Sequence, residues 1–160
     1  MIDERELQDL SEYSGRVPVV SFYIDTDLAH QSKDSAKLMF KQHAKALQGE
    51  GASLGAAAAG LAAIERYIEF EYDWQARAVA VFADGGDLWK TVPLPAPVST
   101  QGYVGDRPYV RPLTDLLDRY AEYAVALIDR ESLRLFSVAW GRVQAETESF
   151  GEELKRHKQG

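Results

Sequence analysis

The spacing of apolar positions changes several times along the 160 residues, and each change marks an element. In residues 3–13, Leu7 and Leu10 stand among charges. That pattern predicts a short amphipathic helix closed near Ser14-Gly15. From Val17 to Ile24 the chain is almost continuously apolar, with β-branched and aromatic residues. The run predicts a buried strand with Pro18 at its start, ended by Asp25-Thr26-Asp27. Ser32 then opens a helix to about Gln48, in which Ala36, Met39, Phe40, His43, Ala44 and Leu47 recur at spacings of three and four. Gly49-Glu50-Gly51-Ala52-Ser53 breaks it. A second helix is expected from about Leu54 through Tyr72, Ala-rich at first and amphipathic later.

Strand patterning returns at Ala76 to Ala83. Asp84-Gly85-Gly86-Asp87 reads as a hairpin turn into Leu88–Leu94. Pro93, Pro95 and Pro97 hold an extended segment on a sheet edge, and Val98 to Val104 is expected to pair as a further strand. Asp106 to Pro112, with two prolines, marks a domain boundary. Leu113, Leu116, Leu117 and Tyr120 then follow the helical pattern, with Pro112 in the first turn. A meander completes the chain: a buried-type strand at Tyr123–Ile128, a second at Leu133–Val138 and a more exposed third from Arg142 to Phe150. The fold class is therefore α/β (α+β mixed). Residues 1–106 form an N-terminal α/β domain with a mixed sheet, and residues 107–160 begin a second α/β domain. Three strands and one helix do not cover both faces of a sheet, so that second domain reads as incomplete.

Charge narrows the function classes. The net charge of −7 argues against broad nonspecific binding to nucleic acid or anionic membrane. Two local exceptions stand out. Lys33, Lys37, Lys41 and Lys45 recur every four residues along the first long helix, either as contacts to an RNA backbone or as a solvated face. The chain then ends in a basic tail, Lys155-Arg156-His157-Lys158-Gln159-Gly160. With no cysteine there are no disulfides, thiolate nucleophiles or Cys-type zinc sites. No signal peptide is legible, and the apolar run Gly55–Ala63 is too short to span a bilayer. A cytoplasmic protein without a membrane partner is expected.

Enzymatic signatures are sparse. Asp25 and Asp27 at a strand end would suit a divalent metal or catalysis, or would simply cap the amides of a turn. Gly85-Gly86 lacks the spacing of a phosphate loop, and no Gly-x-Ser-x-Gly or His-Glu-x-x-His occurs. No cofactor, resident metal or catalytic residue is assigned.

The order of features from Arg107 to Gly160 resembles the middle domain of the eukaryotic and archaeal class-1 release factors. It is closer to their bacterial relatives, the release-factor-related family. The matching features are the helix Leu113-Thr114-Asp115-Leu116-Leu117, the strand Ala124 to Asp129, the hairpin strand Leu133–Val138, the turn Trp140-Gly141-Arg142 and the segment Lys155-Arg156-His157. In the family, a segment of that last type leads into a Gly-Gly-Gln loop that enters the peptidyl-transferase centre. Here Lys158-Gln159-Gly160 follows, and the Gln159 that precedes a glycine is not the loop glutamine. Val17–Ile24, the two helices, Arg77–Ala83 and Leu88–Leu94 likewise resemble the family's N-terminal domain. No Asn-Ile-Lys-Ser occurs between Ser32 and Tyr72, so the resemblance does not carry stop-codon reading.

The resemblance implies a ribosome-associated translation factor acting in termination, rescue or quality control. It implies the ribosome or tRNA as partner of the full-length protein. The basic tail and the four lysines would contact RNA, and the 160 residues, cut before the loop, would not hydrolyse peptidyl-tRNA. Two other classes stay open. One is a small metal-dependent enzyme using Asp25 and Asp27. The other is a non-catalytic interaction module, with the meander pairing edge to edge in a homodimer.

Overall fold

The computed structural model describes residues 4–13, 18–48, 54–130, 132–139 and 142–150. They fall into two compact units, Met1–Asp115 and Leu116–Gly160. In chain order the first unit holds α1 (Glu4–Glu12), β1 (Val19–Asp25), α2 (Lys33–Gln48), α3 (Leu54–Arg66), β2 (Ala78–Asp84), β3 (Asp87–Leu94) and β4 (Gln101–Gly105). The unit boundary falls within α4 (Arg111–Arg119), and the second unit continues with β5 (Tyr123–Ile128), β6 (Ser132–Ala139) and β7 (Arg142–Phe150).

The first sheet has the order β3-β2-β1-β4. Its α/β character is as the sequence predicts, but every pairing is antiparallel rather than mixed. The reason is the connection. With two helices in series the chain reverses three times, into α2, into α3 and into β2, so β2 returns antiparallel beside β1. Proline at position 93 is tolerated because β3 is an edge strand.

β1 is central, and its first six residues are all buried. Val20, Phe22 and Ile24 join Val79, Val81 and Ala83 of β2 in one cluster with Phe40 and Ala44 of α2 and Leu61 and Ile64 of α3. Phe22 packs tilted on Phe40 at 4.7 Å between ring centroids. The alternate residues Ser21 and Tyr23 are buried too. The Ser21 hydroxyl accepts from the Tyr109 amide at 2.9 Å, and the Tyr23 hydroxyl donates to the Tyr109 carbonyl at 2.5 Å. Tyr23 also meets Phe82 edge-on, Phe82 meets Trp89, and Trp89 stacks on Tyr13 at 3.9 Å. Strand β1 is therefore sandwiched, which explains its unbroken apolar run.

Local chemistry sets the boundaries. The Ser32 hydroxyl accepts from the Ser35 amide at 3.1 Å and caps α2. Gly85 and Gly86 adopt φ of 62° and 102°, as a tight hairpin with two left-handed residues requires. The second long helix does not stay α-helical to its end. Tyr67–Glu71 forms a π-helical turn in which the Tyr72 amide donates to the Tyr67 carbonyl at 2.9 Å. The wider turn buries Ile68 and leaves Phe70 83% exposed.

The second unit is different in kind. Its sheet has the order β5-β6-β7, wholly antiparallel. Among the described residues after Asp115, Leu116 and Val138 are the buried hydrophobics. Tyr123–Ile128, expected as a buried strand, is exposed at every position. The run has the composition of a core strand, but no described element covers it.

Gly102 of β4 tests the packing of the first sheet. A Cβ placed there would lie 2.4 Å from Phe22 Cε2 and 2.6 Å from Leu47 Cδ1. Phe22 is fully buried and cannot swing away. Gly102→Ala is expected to destabilise the first unit by about 1–3 kcal/mol, seen as a lower urea midpoint at unchanged slope.

Candidate functional site

Two parts of the first unit carry the side chains that the sequence marks. The first is the lysine row on α2. Lys37 Nζ lies 2.6 Å from Glu69 Oε2, and Lys41 Nζ lies 3.0 Å from Glu69 Oε1 and 3.5 Å from Glu65 Oε1. A single carboxylate at the π turn thus bridges two lysines one helical turn apart. Hydrogen bonds from Lys37 and then Lys41 hold the Glu69 carboxyl below its ordinary value, and the bond to Glu69 raises Lys41. Lys33 takes another partner, with its ammonium 5.6 Å from the centroid of the Trp74 ring. Lys45 is exposed, with no ion-pair partner among the described residues. The row is thus half neutralised by its own protein, and Lys45 and Lys33 remain the more open cations.

The second part is the end of β1. The Asp25 carboxylate accepts from the Asp27 amide at 3.0 Å, and Asp27 Oδ1 accepts from the Ala29 amide at 3.1 Å. Asp27 Oδ2 accepts from Arg77 Nε at 2.8 Å. The Arg77 guanidinium, with help from the Ala29 amide, holds the Asp27 carboxyl below its ordinary value. Both aspartates therefore act as turn caps, the simpler of the two roles that the sequence leaves open. Among the described residues no cluster of three or more His, Asp or Glu side chains forms a metal cage.

Between them lies Thr26, fully buried. Its hydroxyl donates to the Ala76 carbonyl at 2.9 Å, so the Tyr72 hydroxyl 3.0 Å away must be the donor in their pair. Burial pushes the Tyr72 hydroxyl up in pKa. Two residues after Tyr72, Trp74 holds φ at 61°, an uncommon backbone conformation for a bulky residue. Its ring lies 5.2 Å from Tyr72, within the aromatic group Tyr67–Tyr72–Trp74. The conformation costs about 1–3 kcal/mol, which the packing of these rings must offset.

Sequence reasoning missed Glu65, Glu69, Tyr72, Trp74 and Arg77. Each is far from its partner in the chain, and only the helix packing and the π turn bring them together. The two marked parts meet at Trp74, whose ring lies near both the Lys33 ammonium and Tyr72, the partner of Thr26. Lys155, Arg156, His157, Lys158, Gln159 and Gly160 lie outside the described residues.

Residues 108–160 match the model of bacterial archaeo-eukaryotic release factor family 10. Over those residues the chain is similar to the release-factor-related proteins of that family. No curated protein matches it in sequence. Among solved structures, an archaeal protein and the archaeal translation termination factor aRF1 each superpose with a TM-score of 0.53 at 15% identity. Each match covers 94% of this chain, which spans 46% of the length of either structure. At that identity the likeness establishes the shared fold.

The β1 end generates a stability prediction. Thr26→Val removes the hydroxyl that the Ala76 carbonyl accepts from and that the Tyr72 hydroxyl donates to, and is expected to cost about 1–3 kcal/mol by denaturant unfolding. For Asp27, whose folded-state pKa is lowered, the stabilisation is present above the unfolded value of about 4 and is lost as pH falls through the folded value. Asp27→Asn is expected to lower stability at neutral pH and to flatten the acid limb of the stability–pH profile below about pH 4.

Proposed function

We propose that this chain is a ribosome-associated, release-factor-like translation factor acting in termination, rescue or quality control. The observation that carries the reading is the joint match of residues 108–160 to the bacterial release factor family and of 94% of the chain to the fold of an archaeal termination factor. In this reading residues 1–106 are the N-terminal domain and residues 107–160 the first part of the middle domain. The compact units themselves divide a few residues later, at Asp115 and Leu116. Basic residues 155–158 would neutralise phosphates of ribosomal RNA or tRNA, with Gln159 and Gly160 extending the same segment. Lys33 and Lys45 would add point charges from α2, whereas Lys37 and Lys41 are held by Glu69 and Glu65. The partner is RNA within a ribonucleoprotein, and the protein works in the cytoplasm.

The 160 residues contain no Gly-Gly-Gln. The reading therefore assigns them binding without hydrolysis: glycines that admit backbone to a narrow RNA-lined site, and amides that would stabilise the reacting ester, are not present as a set.

Cosedimentation with 70S ribosomes tests the reading. Binding at low salt is expected, weakening as salt rises. Joint Lys155→Ala, Arg156→Ala and Lys158→Ala substitutions should reduce the slope of log affinity against log salt by about 0.7 for each phosphate no longer neutralised. Lys37→Ala should change it less than Lys45→Ala. Release of peptide from peptidyl-tRNA should stay at background. Absence of binding at low salt, or turnover by this chain, would contradict the reading.

A further inference from the structure

One face of β1 carries two buried hydroxyls that the strand itself does not need. The backbone of β1 already pairs with β2 on one side and, from Val19 to Tyr23, with β4 on the other. Alanine at position 21 and phenylalanine at position 23 would fill the same space with no polar group to satisfy. The two hydroxyls instead serve one residue of another segment. Ser21 accepts from the Tyr109 amide at 2.9 Å, and Tyr23 donates to the Tyr109 carbonyl at 2.5 Å. Tyr103, opposite Ser21 on β4, stacks on the Tyr109 ring at 3.8 Å between centroids. One face of the sheet thus holds Tyr109 by its amide, its carbonyl and its ring.

This hold is made by side chains. Strand β4 ends at Gly105. Among the described residues, no main-chain hydrogen bond ties Asp106, Arg107, Pro108 or Tyr109 to the sheet. The Val110 carbonyl then accepts from the amides of Leu113 and Thr114 and opens α4. Pro108 and Leu113 are buried, but Arg111 and Asp115 are exposed, and α4 packs broadly against no other described element. Lifting residues 106–114 would break the two hydrogen bonds and the ring stack and uncover Pro108 and Leu113. It would leave every strand pairing of the first sheet in place.

We propose that residues 106–114 are a latch, closed over this face of the sheet by Ser21, Tyr23 and Tyr103, and that the latch opens on its own while the sheet stays folded. Ser21 and Tyr23 are then positioning residues, which fix where α4 begins. The course of α4 gives the latch its consequence. The helix starts in the first compact unit and passes into the second at Leu116. A closed latch seats the first turn of α4 on β1, the strand on which the first unit is built. An open latch frees that turn from the strand. The segment is a local two-state element, and side chains of β1 and β4 set its balance.

Hydrogen exchange of the full 160-residue chain at low urea reads the opening through the Tyr109 amide. In the native protein that amide is expected to respond weakly to urea, because little surface is exposed, while amides of β1 and β2 show the steep slope of global unfolding. Tyr23→Phe removes the bond to the Tyr109 carbonyl, keeps the ring against Phe82 and leaves the Ser21 bond that protects the reporting amide. It is expected to speed Tyr109 exchange by about fivefold. Phe40→Leu, on the other face of β1, weakens the sheet equally whether the latch is open or closed. It is expected to speed β1 and β2 amides by about fivefold and to leave Tyr109 unchanged. A Tyr109 amide that follows the urea slope of the sheet, or that speeds with it in Phe40→Leu, would overturn the separate opening. An unchanged Tyr109 rate in Tyr23→Phe would overturn the hold assigned to Tyr23. All of these readouts are taken on the free chain, so they stand or fall separately from cosedimentation.

Discussion

The first unit depends on the burial of β1 on both faces. One side of the strand packs Val20, Phe22 and Ile24 under α2 and α3. The other side turns Ser21 and Tyr23 into anchors for the backbone of Tyr109. Because a strand alternates its side chains, neither face can move in register without moving the other. The layers of the first unit are thus fixed to one strand of seven residues. The polar end of β1 continues the same logic, since Thr26 and Asp27 tie it to Ala76, Tyr72 and Arg77 across the entry to β2.

Much of this was legible in the sequence, for physical reasons that can be named. A run such as Val19–Ile24 has one solution, a doubly covered strand. Asp84–Asp87 with two glycines has one common solution, a tight hairpin. Ser32 before the α2 pattern is a cap. The antiparallel return of β2 was not legible, because it depends on how two helices stack and not on the composition of either strand. The π turn at Tyr67–Glu71 was hidden for a similar reason: its residues fit an α-helix equally well, and packing of Ile68 and Tyr72 selects the wider turn.

The candidate site shows the same division. The lysine row was visible as a periodicity of four. Its electrostatic meaning was not, because Glu65 and Glu69 lie on a separate helical segment and neutralise Lys37 and Lys41 only after packing. Asp25 and Asp27 could be read from sequence either as metal ligands or as turn caps, and the amides of Asp27 and Ala29 with the guanidinium of Arg77 give them capping roles. Trp74 carried no signal at all, since its left-handed backbone arises from the contacts around it. The resemblance to release factors was readable mainly from the order of elements after Arg107, the stretch that the family model also matches. Among the described residues, the exposure of β5 is a plain disagreement between composition and surroundings.

Native-state hydrogen exchange of the 160-residue chain tests this contrast between the buried β1 and the exposed β5. The account predicts that amides of β1 and β2 exchange slowest, through global unfolding of the first unit, while amides of β5 exchange faster. Equal protection of β5 and β1, lost together in a single cooperative transition, would contradict it.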